Sequence, residues 1–194
     1  MSFFKFSLLA LLGFFIQSLH AAEQSSTWHE YRFRNMMEQR LDISCGAASM
    51  SALLTYYTDS PADEEDLLAA LALVVDASEQ DSVLEDGFTL LHLKQVVGQM
   101  GLELKAATIY NAQLVRFGSP ALLQLKTTQG HHFVLWHGKV KGRHWIGDPS
   151  RGDMWLTDYE LEKEWTGVAS WLFKGGKPLP QASKQKLEAV YANR

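Results

Sequence analysis

One cysteine lies at a position where its thiol could be reactive. Cys45 is the only cysteine among the 194 residues, and it follows Ser44, a residue type that favours the N-cap of a helix. Residues 46–57 have apolar side chains at helical spacing with small residues between them, which predicts a buried helix. A thiol at a helix N-terminus faces unpaired N–H groups and the positive end of the helix dipole, and both stabilise the nucleophilic thiolate. The alternative is a small buried side chain without reactivity.

Three further polar residues could complete the site of a cysteine hydrolase. Such a site needs a thiolate, an imidazole paired with it, a group that orients the imidazole, and donors for the oxyanion. His132 begins one apolar strand pattern, and Asp148 ends the next one at a Gly-Asp-Pro turn. Gln39 precedes Cys45 by six residues, so its amide could point to the same place as the Cys45 backbone N–H. We therefore predict one site formed by Cys45, His132, Asp148 and Gln39.

The order of the sequence patterns predicts the elements that carry these residues. Residues 23–39 are expected to form an arm that delivers Gln39, a helix is predicted to begin at Ser60-Pro61, and the polar residues 76–87 are expected to form a loop. Thr89 is expected to cap a helix that stops near Gly101. After residue 101 the pattern predicts short helices at 111–117 and 157–165 and strands at 102–105, 120–125, 132–138, 144–148, 154–156 and 171–173. Helices followed by close-set hairpins predict an α+β fold with the N-terminal helices on one side of an antiparallel sheet.

Taken together, the motifs resemble those of the peptidase C39 family. They are Gln39-x5-Cys45-Gly46-x-Ala48, His132-Phe133-Val134, and Asp148-Pro149 followed by Gly152. The resemblance covers residues 39–173, and these papain-like domains remove double-glycine leader peptides from bacteriocins. It implies a papain-like cysteine peptidase fold with Cys45 as nucleophile and His132 as general base and acid. It also implies that Asp148 orients the imidazole and that Gln39 lines the oxyanion hole.

Two features differ from the usual pattern of this family. Ser44 stands where many members have Asp, and the chain has neither the fused transporter helices nor a phosphate-binding loop, so we expect no ATP binding. The resemblance is to stand-alone exported C39-like proteins, which in some Gram-negative bacteria accompany secretion of functional amyloid of the Fap type. The expected partners are a protein or peptide substrate, such as an exported amyloid or leader-bearing protein, and an outer-membrane secretion component. The alternatives are a non-catalytic C39-like domain that binds and escorts a secretion substrate, and another papain-like acyl transfer.

The ends of the chain predict its location and its domain limits. Lys5, the apolar run 8–16 and small residues up to Ala22 are typical of a secretory signal peptide, which predicts a periplasmic protein; an uncleaved anchor is the alternative. We therefore divide the chain into a signal peptide (1–22), a C39-like peptidase domain (23–175) and a polar tail (176–194). The net charge of −4 without a basic block argues against nucleic acid as a partner. A single cysteine allows no internal disulfide.

Four histidines cluster in the predicted sheet without forming a metal-site pattern. Strand alternation places His131 and His137 on one face and His132 on the other, so we predict neither a metal nor any other cofactor. His131 is the second candidate for the general base. His92 is expected at the surface or boundary of its helix. Five tryptophans are expected to lie in the core or on sheet faces: Trp136, Trp145, Trp155, Trp165 and Trp171.

Overall fold

The structure is a computed structural model of the chain, and it describes residues 27–128 and 130–180. The predicted signal peptide (1–22) and the end of the predicted tail (181–194) lie outside these residues. The chain divides into two units after Tyr31. The first described helix lies almost entirely in the first unit, and the rest of the fold belongs to the second unit, which begins at Arg32. Within the described ranges, no helix combines the length and the apolar character needed to cross a membrane.

Helices dominate the first half of the described chain and strands the second half. The helices are α1 (Trp28–Arg32), α2 (Cys45–Tyr57), α3 (Glu64–Val74), a 3-10 turn (Ala77–Glu79), α4 (Gln80–Asp86), α5 (Leu90–Gln99), α6 (Asn111–Phe117) and α7 (Asp158–Glu164). The strands are β1 (Glu103–Thr108), β2 (Ala121–Thr127), β3 (Gly130–Val140), β4 (Arg143–Asp148), β5 (Gly152–Leu156), β6 (Trp165–Lys174) and β7 (Lys177–Pro178). This order confirms the predicted α+β class.

The strands form one antiparallel sheet among the described residues, in the order β1-β6-β2-β3-β4-β5, with β7 added to β6. Because side chains alternate along a strand, neighbouring residues such as Leu122 and Leu123 enter different cores. Leu122 and Leu135 pack with the buried residues of α2, α3 and α5, whereas Leu123 and Val134 pack with α6 and α7 on the opposite face. The expectation that helices lie on one side therefore holds for the N-terminal helices only. The five tryptophans of the second half are buried as expected.

Helix α2 packs closely against strand β3 because its inner face carries small residues. Every residue from Cys45 to Leu54 is buried. A Cβ atom added at Gly46 would meet Leu93 Cδ1 at 3.3 Å and the ring of Phe133 at 3.4 Å, so a larger residue would require these two side chains to shift. The Ser49 hydroxyl donates to the Phe133 carbonyl at 2.9 Å. This contact fixes the first turn of α2 beside the start of β3.

The segment 32–39 runs along the turn that joins β4 to β5. Hydrogen bonds along it are donated by the Arg32 guanidinium to Arg151 O, by Asn35 Nδ2 to Asp153 Oδ2 at 2.9 Å, and by Gln39 N–H to Pro149 O at 2.9 Å. The expected arm is therefore observed over these residues, and it places Gln39 next to the turn that follows Asp148.

Two sequence expectations about the position of helices are wrong. Helix α3 begins at Glu64 rather than near Ser60, because Asp63 caps it and accepts from Asp66 N–H at 2.8 Å. Residues 77–86 form a 3-10 turn and α4 rather than a loop; α4 buries only Val83, so it has no apolar period to detect.

His92 is buried rather than at the boundary of α5. Its exposed fraction is 2%, and its Nδ1 accepts from the Thr89 N–H at 3.2 Å in a capping box. The imidazole therefore has a structural role at the start of the helix, where the cap of Thr89 was expected and is confirmed.

The fold also continues past residue 175, the predicted end of the domain. Lys177 and Pro178 pair with β6, and Leu179 is 5% exposed. The Leu179 N–H donates to Leu172 O at 3.0 Å, and its carbonyl accepts from the Ser119 hydroxyl at 2.6 Å. The segment is polar apart from Leu179, whose burial attaches it to the domain. The tail therefore cannot begin before residue 180.

Gly152 lets the arm cross the β4–β5 turn, which gives a test of this packing. Its φ is +84°, and an added Cβ would lie 2.5 Å from the Arg32 carbonyl oxygen. Gly142 is the matched control, because its φ is +79° and an added Cβ would meet no atom within 4 Å. We expect Gly142→Ala to lower the free energy of unfolding by about 1 kcal/mol and Gly152→Ala by about 2–4 kcal/mol. Urea unfolding of both variants measures the difference, and equal losses would contradict the close approach of the arm.

Candidate active site

The side chains of Cys45, His132 and Asp148 meet where the start of α2 faces β3 and the end of β4. His132 Nε2 and Asp148 Oδ1 are 2.9 Å apart, and an ionised carboxylate only accepts, so Nε2 carries the proton. The His132 ring interacts electrostatically with the Cys45 side chain, and because Nε2 bonds Asp148, Nδ1 is the nitrogen available to the sulfur. The Phe133 N–H donates to Cys45 Sγ at 3.5 Å. A sulfur, an imidazole and a carboxylate that are distant in the sequence are therefore in contact.

The charges of this group favour a protonated imidazole. Burial by itself would lower the pKa of His132, but hydrogen bonds to Asp148 and Cys45 and the negative charges of both outweigh it and raise this pKa to about 9. Burial would likewise raise the pKa of Asp148, yet the His132 and Arg151 charges and the hydrogen bonds from His132 and Ser150 hold it well below its usual range. The arrangement therefore stabilises an imidazolium between two negative groups.

Asp148 is fully buried and is held by donors from the turn that follows it. Its Oδ1 accepts from the Ser150 N–H at 2.8 Å, the Ser150 hydroxyl at 2.7 Å and the Arg151 N–H at 3.1 Å. Its Oδ2 accepts from Arg151 Nε at 2.7 Å, and Arg151 Nη2 donates to Glu164 at 3.2 Å. The carboxylate therefore has partners on both oxygens and can present only one orientation to His132.

Arg151, Ser150 and Glu164 are functional candidates that sequence reasoning missed. Arg151 could have been found from the Asp-Pro-x-Arg turn, because an Arg three residues after a buried Asp can reach back to the Asp carboxylate. Nothing in the sequence around Glu164 indicates that it pairs with Arg151. It lies at the end of α7, and only the fold brings α7 to this turn.

Ser44 does not cap α2 through its side chain, contrary to expectation. Its φ and ψ are −98° and 8°, and its hydroxyl makes no hydrogen bond to the first turn. Instead, Ser44 Oγ lies 2.5 Å from Glu64 Oε1 and accepts from the Leu41 N–H at 3.1 Å. The first N–H groups of α2, beginning with that of Cys45, are consequently not occupied by a capping side chain, and such donors suit an oxyanion.

Gln39 lines the same cleft as Cys45 and His132. Its Nε2 donates to the Leu41 carbonyl at 2.9 Å, which fixes the plane of the amide and leaves the second N–H of Nε2 for another acceptor. Its backbone N–H is bound to the turn after Asp148, as described above. The structure thus brings Gln39, Cys45 and His132 to one cleft, with the fourth predicted site residue, Asp148, buried behind His132.

The cleft has a volume of about 860 Å³. Its walls come from the loop before α2, from α4, from the end of β2 and from the β4–β5 turn, and its other lining residues include Asp42, Ile43, Leu84, Glu85, Asp86, Lys126, Thr127 and Thr128. The side chain of Leu84 is 70% exposed here. An open cleft with one apolar wall can admit an extended peptide.

The remaining histidines of the sheet lie in different surroundings. His131 lines the cleft and is exposed, whereas His132 alone of the two makes the contact with Asp148. His137 stacks on Trp145 at a centroid distance of 3.9 Å, and His144 bonds Trp136 and Asp158. Among the described residues, no group of three or more His, Cys, Asp or Glu is arranged to hold a metal ion.

The sequence of this chain is similar to those of known peptidases. The model of the peptidase C39 family matches residues 34–175. Two curated relatives are both named probable functional amyloid protease FapD. The protein from Pseudomonas aeruginosa PAO1 is 29% identical, and the alignment covers 75% of this chain and 63% of that protein. The protein from Pseudomonas fluorescens is 30% identical, and the alignment covers 72% of this chain and 60% of that protein. The chain thus spans somewhat over half the length of these relatives.

Solved structures show the same fold. The peptidase domain of the Streptococcus transporter ComA superposes with a TM-score of 0.60 at 18% identity, covering 72% of this chain and 98% of that domain. A double-glycine-motif protease from an AMS/PCAT transporter, solved with a leader peptide, gives 0.52 at 22% identity and covers 75% and 91%. The fold is therefore that of papain-like C39 peptidase domains, and with the family model matching most of its length, the chain belongs to the peptidase C39 family.

Proposed function

We propose that this protein is a periplasmic cysteine peptidase that cleaves an exported protein or peptide, with Cys45, His132 and Asp148 as its catalytic triad. The observation that carries the proposal is the position of His132, which contacts both the Cys45 side chain and the buried carboxylate of Asp148 in one open cleft. Membership of a peptidase family supports the same reaction class.

The geometry supports acyl transfer through a thioester. The Cys45 thiolate attacks the carbonyl carbon of the scissile peptide bond, and the negative charge that develops on the carbonyl oxygen faces the Cys45 N–H and the Gln39 amide. His132 then gives its proton to the leaving amine as the C–N bond breaks. Water attacks the thioester while His132 takes a proton from it; the C–S bond breaks, the acid product leaves, and the Cys45 thiolate and the protonated imidazole are restored. Asp148 holds the imidazole in one orientation through both steps.

The substrate class and the location rest on different observations. Both curated relatives are named as functional amyloid proteases, and one solved neighbour was determined with a leader peptide. These names favour an amyloid protein or a leader peptide as substrate. We propose that the substrate is exported and that an outer-membrane secretion component is a further partner, on the resemblance to exported C39-like proteins of the Fap type. The signal-peptide pattern of residues 1–22 favours the periplasm.

The proposal predicts one processed protein that depends on Cys45. Cells that produce the wild-type protein should release an exported protein with a new N-terminus that is absent when Cys45→Ala is produced at the same level. Mass spectrometry of N-terminal peptides in the exported fraction makes the comparison. Identical sets of N-termini in the two strains would contradict the proposed activity.

The roles proposed for Cys45 and Gln39 predict different losses of activity. On a peptide that spans the site found above, Cys45→Ala should have no measurable activity, because it lacks the nucleophile. Gln39→Ala should lower kcat by about 10²–10³, the usual effect of removing one oxyanion donor. Equal rates for the two variants, both near the wild-type value, would refute these assignments.

The raised pKa of His132 predicts the alkaline limit of activity. Below about pH 9 the imidazole keeps the proton that the leaving amine needs, and above that value it loses it, so kcat/KM should fall there. Asp148→Asn removes the carboxylate charge that raises this pKa, so the alkaline limit should move to lower pH by about 1–3 units. A pH profile of kcat/KM for both proteins measures the shift, and an unchanged alkaline limit would contradict the pairing.

A further inference from the structure

A second buried carboxylate lies behind the candidate site. Among the described residues, Glu64 and Asp148 are the acidic side chains that are buried, with exposed fractions of 5% and 0%. Asp148 is accounted for by its contact with His132. Glu64 is the first residue of α3, an element with no residue in the cleft, so its burial needs a different explanation.

The partners of Glu64 are at the two ends of one short loop. We call residues 40–44, which join Gln39 to Cys45, the nucleophile loop. Glu64 Oε1 accepts from the Arg40 N–H at 3.0 Å and lies 2.5 Å from Ser44 Oγ. Glu64 Oε2 is 3.2 Å from the same Arg40 N–H and 3.8 Å from Arg40 Nε. The carboxylate thus bonds the residue immediately after Gln39 and the residue immediately before Cys45.

These bonds decide how Ser44 uses its hydroxyl. A hydroxyl has one hydrogen to donate, and Ser44 Oγ lies 2.8 Å from Leu41 O and 2.5 Å from the Glu64 carboxylate. The shorter contact to a charged acceptor is the stronger one. Ser44 therefore donates to Glu64, and its oxygen is turned away from the first turn of α2.

Leu41 transmits the same constraint to Gln39. The Leu41 N–H donates to Ser44 Oγ. The Leu41 carbonyl accepts two hydrogen bonds, one from the Ser44 N–H and one from Gln39 Nε2. Because Glu64 holds Ser44, it also holds the carbonyl that orients the Gln39 amide. The two proposed oxyanion donors, the Gln39 amide and the Cys45 N–H, are consequently placed by one buried side chain.

We propose that Glu64 is a positioning residue, which fixes the nucleophile loop so that both oxyanion donors point to one place. The inference rests on the proposed peptidase function. Glu64 touches neither Cys45 nor His132 in the described contacts, so it acts on the stabilisation of the transition state and leaves substrate binding and the thiol–imidazole pair intact.

The test uses three substitutions at two neighbouring acids. Glu64→Met removes both hydrogen bonds at similar size, and Glu64→Gln keeps an acceptor for the Ser44 hydroxyl and the Arg40 N–H. Glu65→Met is the matched control, because Glu65 is 76% exposed and its one bond within the described part of the chain is to the Arg40 guanidinium. We expect Glu64→Met to lower kcat about 10- to 100-fold with KM within about twofold, Glu64→Gln to restore most of the loss, and Glu65→Met to resemble the wild type.

Coupling to Gln39 separates positioning from a general loss of structure. In a Gln39→Ala background, Glu64→Met should lower kcat by less than about threefold, because the amide that Glu64 orients is already gone. The alkylation rate of Cys45 by iodoacetamide should stay within about twofold of wild type in Glu64→Met. A full additive loss in the double variant, or a loss of kcat equal in Glu64→Met and Glu65→Met, would overturn the proposal.

Two further measurements cover the cases in which the first test fails: Ser44→Ala is used if Glu64→Met does not fold, and amide exchange of Arg40 is used if the protein is not a peptidase. Ser44→Ala removes one of the two links and should lower kcat about 3- to 10-fold without a change in KM; no change in kcat would count against the loop constraint. Amide hydrogen exchange of Arg40 needs no substrate. It should be faster in Glu64→Met than in Glu65→Met and stay near the wild-type rate in Glu64→Gln, and unchanged exchange in Glu64→Met would overturn the role of Glu64 even in an inactive protein.

Discussion

The candidate site depends on one docking contact, in which helix α2 meets the backbone of Phe133. The Phe133 N–H donates to Cys45 Sγ, and the Phe133 carbonyl accepts from the Ser49 hydroxyl one helical turn further on. Since Phe133 follows His132 directly, both bonds also set the position of the imidazole relative to the sulfur. The small residues of α2 are required for this approach, because larger ones would hold the helix away from the strand.

A charge pattern is built on this contact. The imidazolium of His132 lies between the Cys45 side chain and a fully buried Asp148, which takes hydrogen bonds on both oxygens from its own turn. A buried carboxylate is tolerated only with such partners, and Arg151 supplies the compensating charge. The outer layer is Arg151 with Glu164 on one side and Ser44 with Glu64 on the other. Both pairs keep the reacting groups in place; Arg151 and Glu164 also line the cleft, whereas Ser44 and Glu64 lie behind it.

The sequence was sufficient for parts whose signals are local. The α+β class, the helix that begins at Cys45, the cap at Thr89 and the strand end at Asp148 all follow from periodicity and turn chemistry, whereas the strand that carries His132 begins two residues earlier than predicted, at Gly130. The proximity of the four candidate residues was predictable because a cysteine hydrolase needs those residue types together. Helix α4 was missed because only one of its residues is buried. The covered second face of the sheet was missed because the patterns predict the short helices α6 and α7 but not the side of the sheet on which they pack.

The remaining errors concern polar side chains whose partners are distant in sequence. Ser44 has the residue type of an N-cap, yet its hydroxyl bonds Glu64, twenty residues away. His92 reads as a boundary residue because its burial depends on how α5 packs. Arg151 and Glu164 pair across the β4–β5 turn and the end of α7, a contact that exists only after folding. Residue type alone cannot choose among such partners.

The most direct test of the account is the ionisation of His132, followed through its ring carbon and proton signals by NMR. If the imidazole lies between Asp148 and Cys45, its pKa is about 9, compared with the ordinary value of 6.5, and it falls in a Cys45→Ala protein because one negative partner is removed. A His132 pKa near 6.5 that is the same with and without the Cys45 thiol would contradict the pairing on which the proposed chemistry depends.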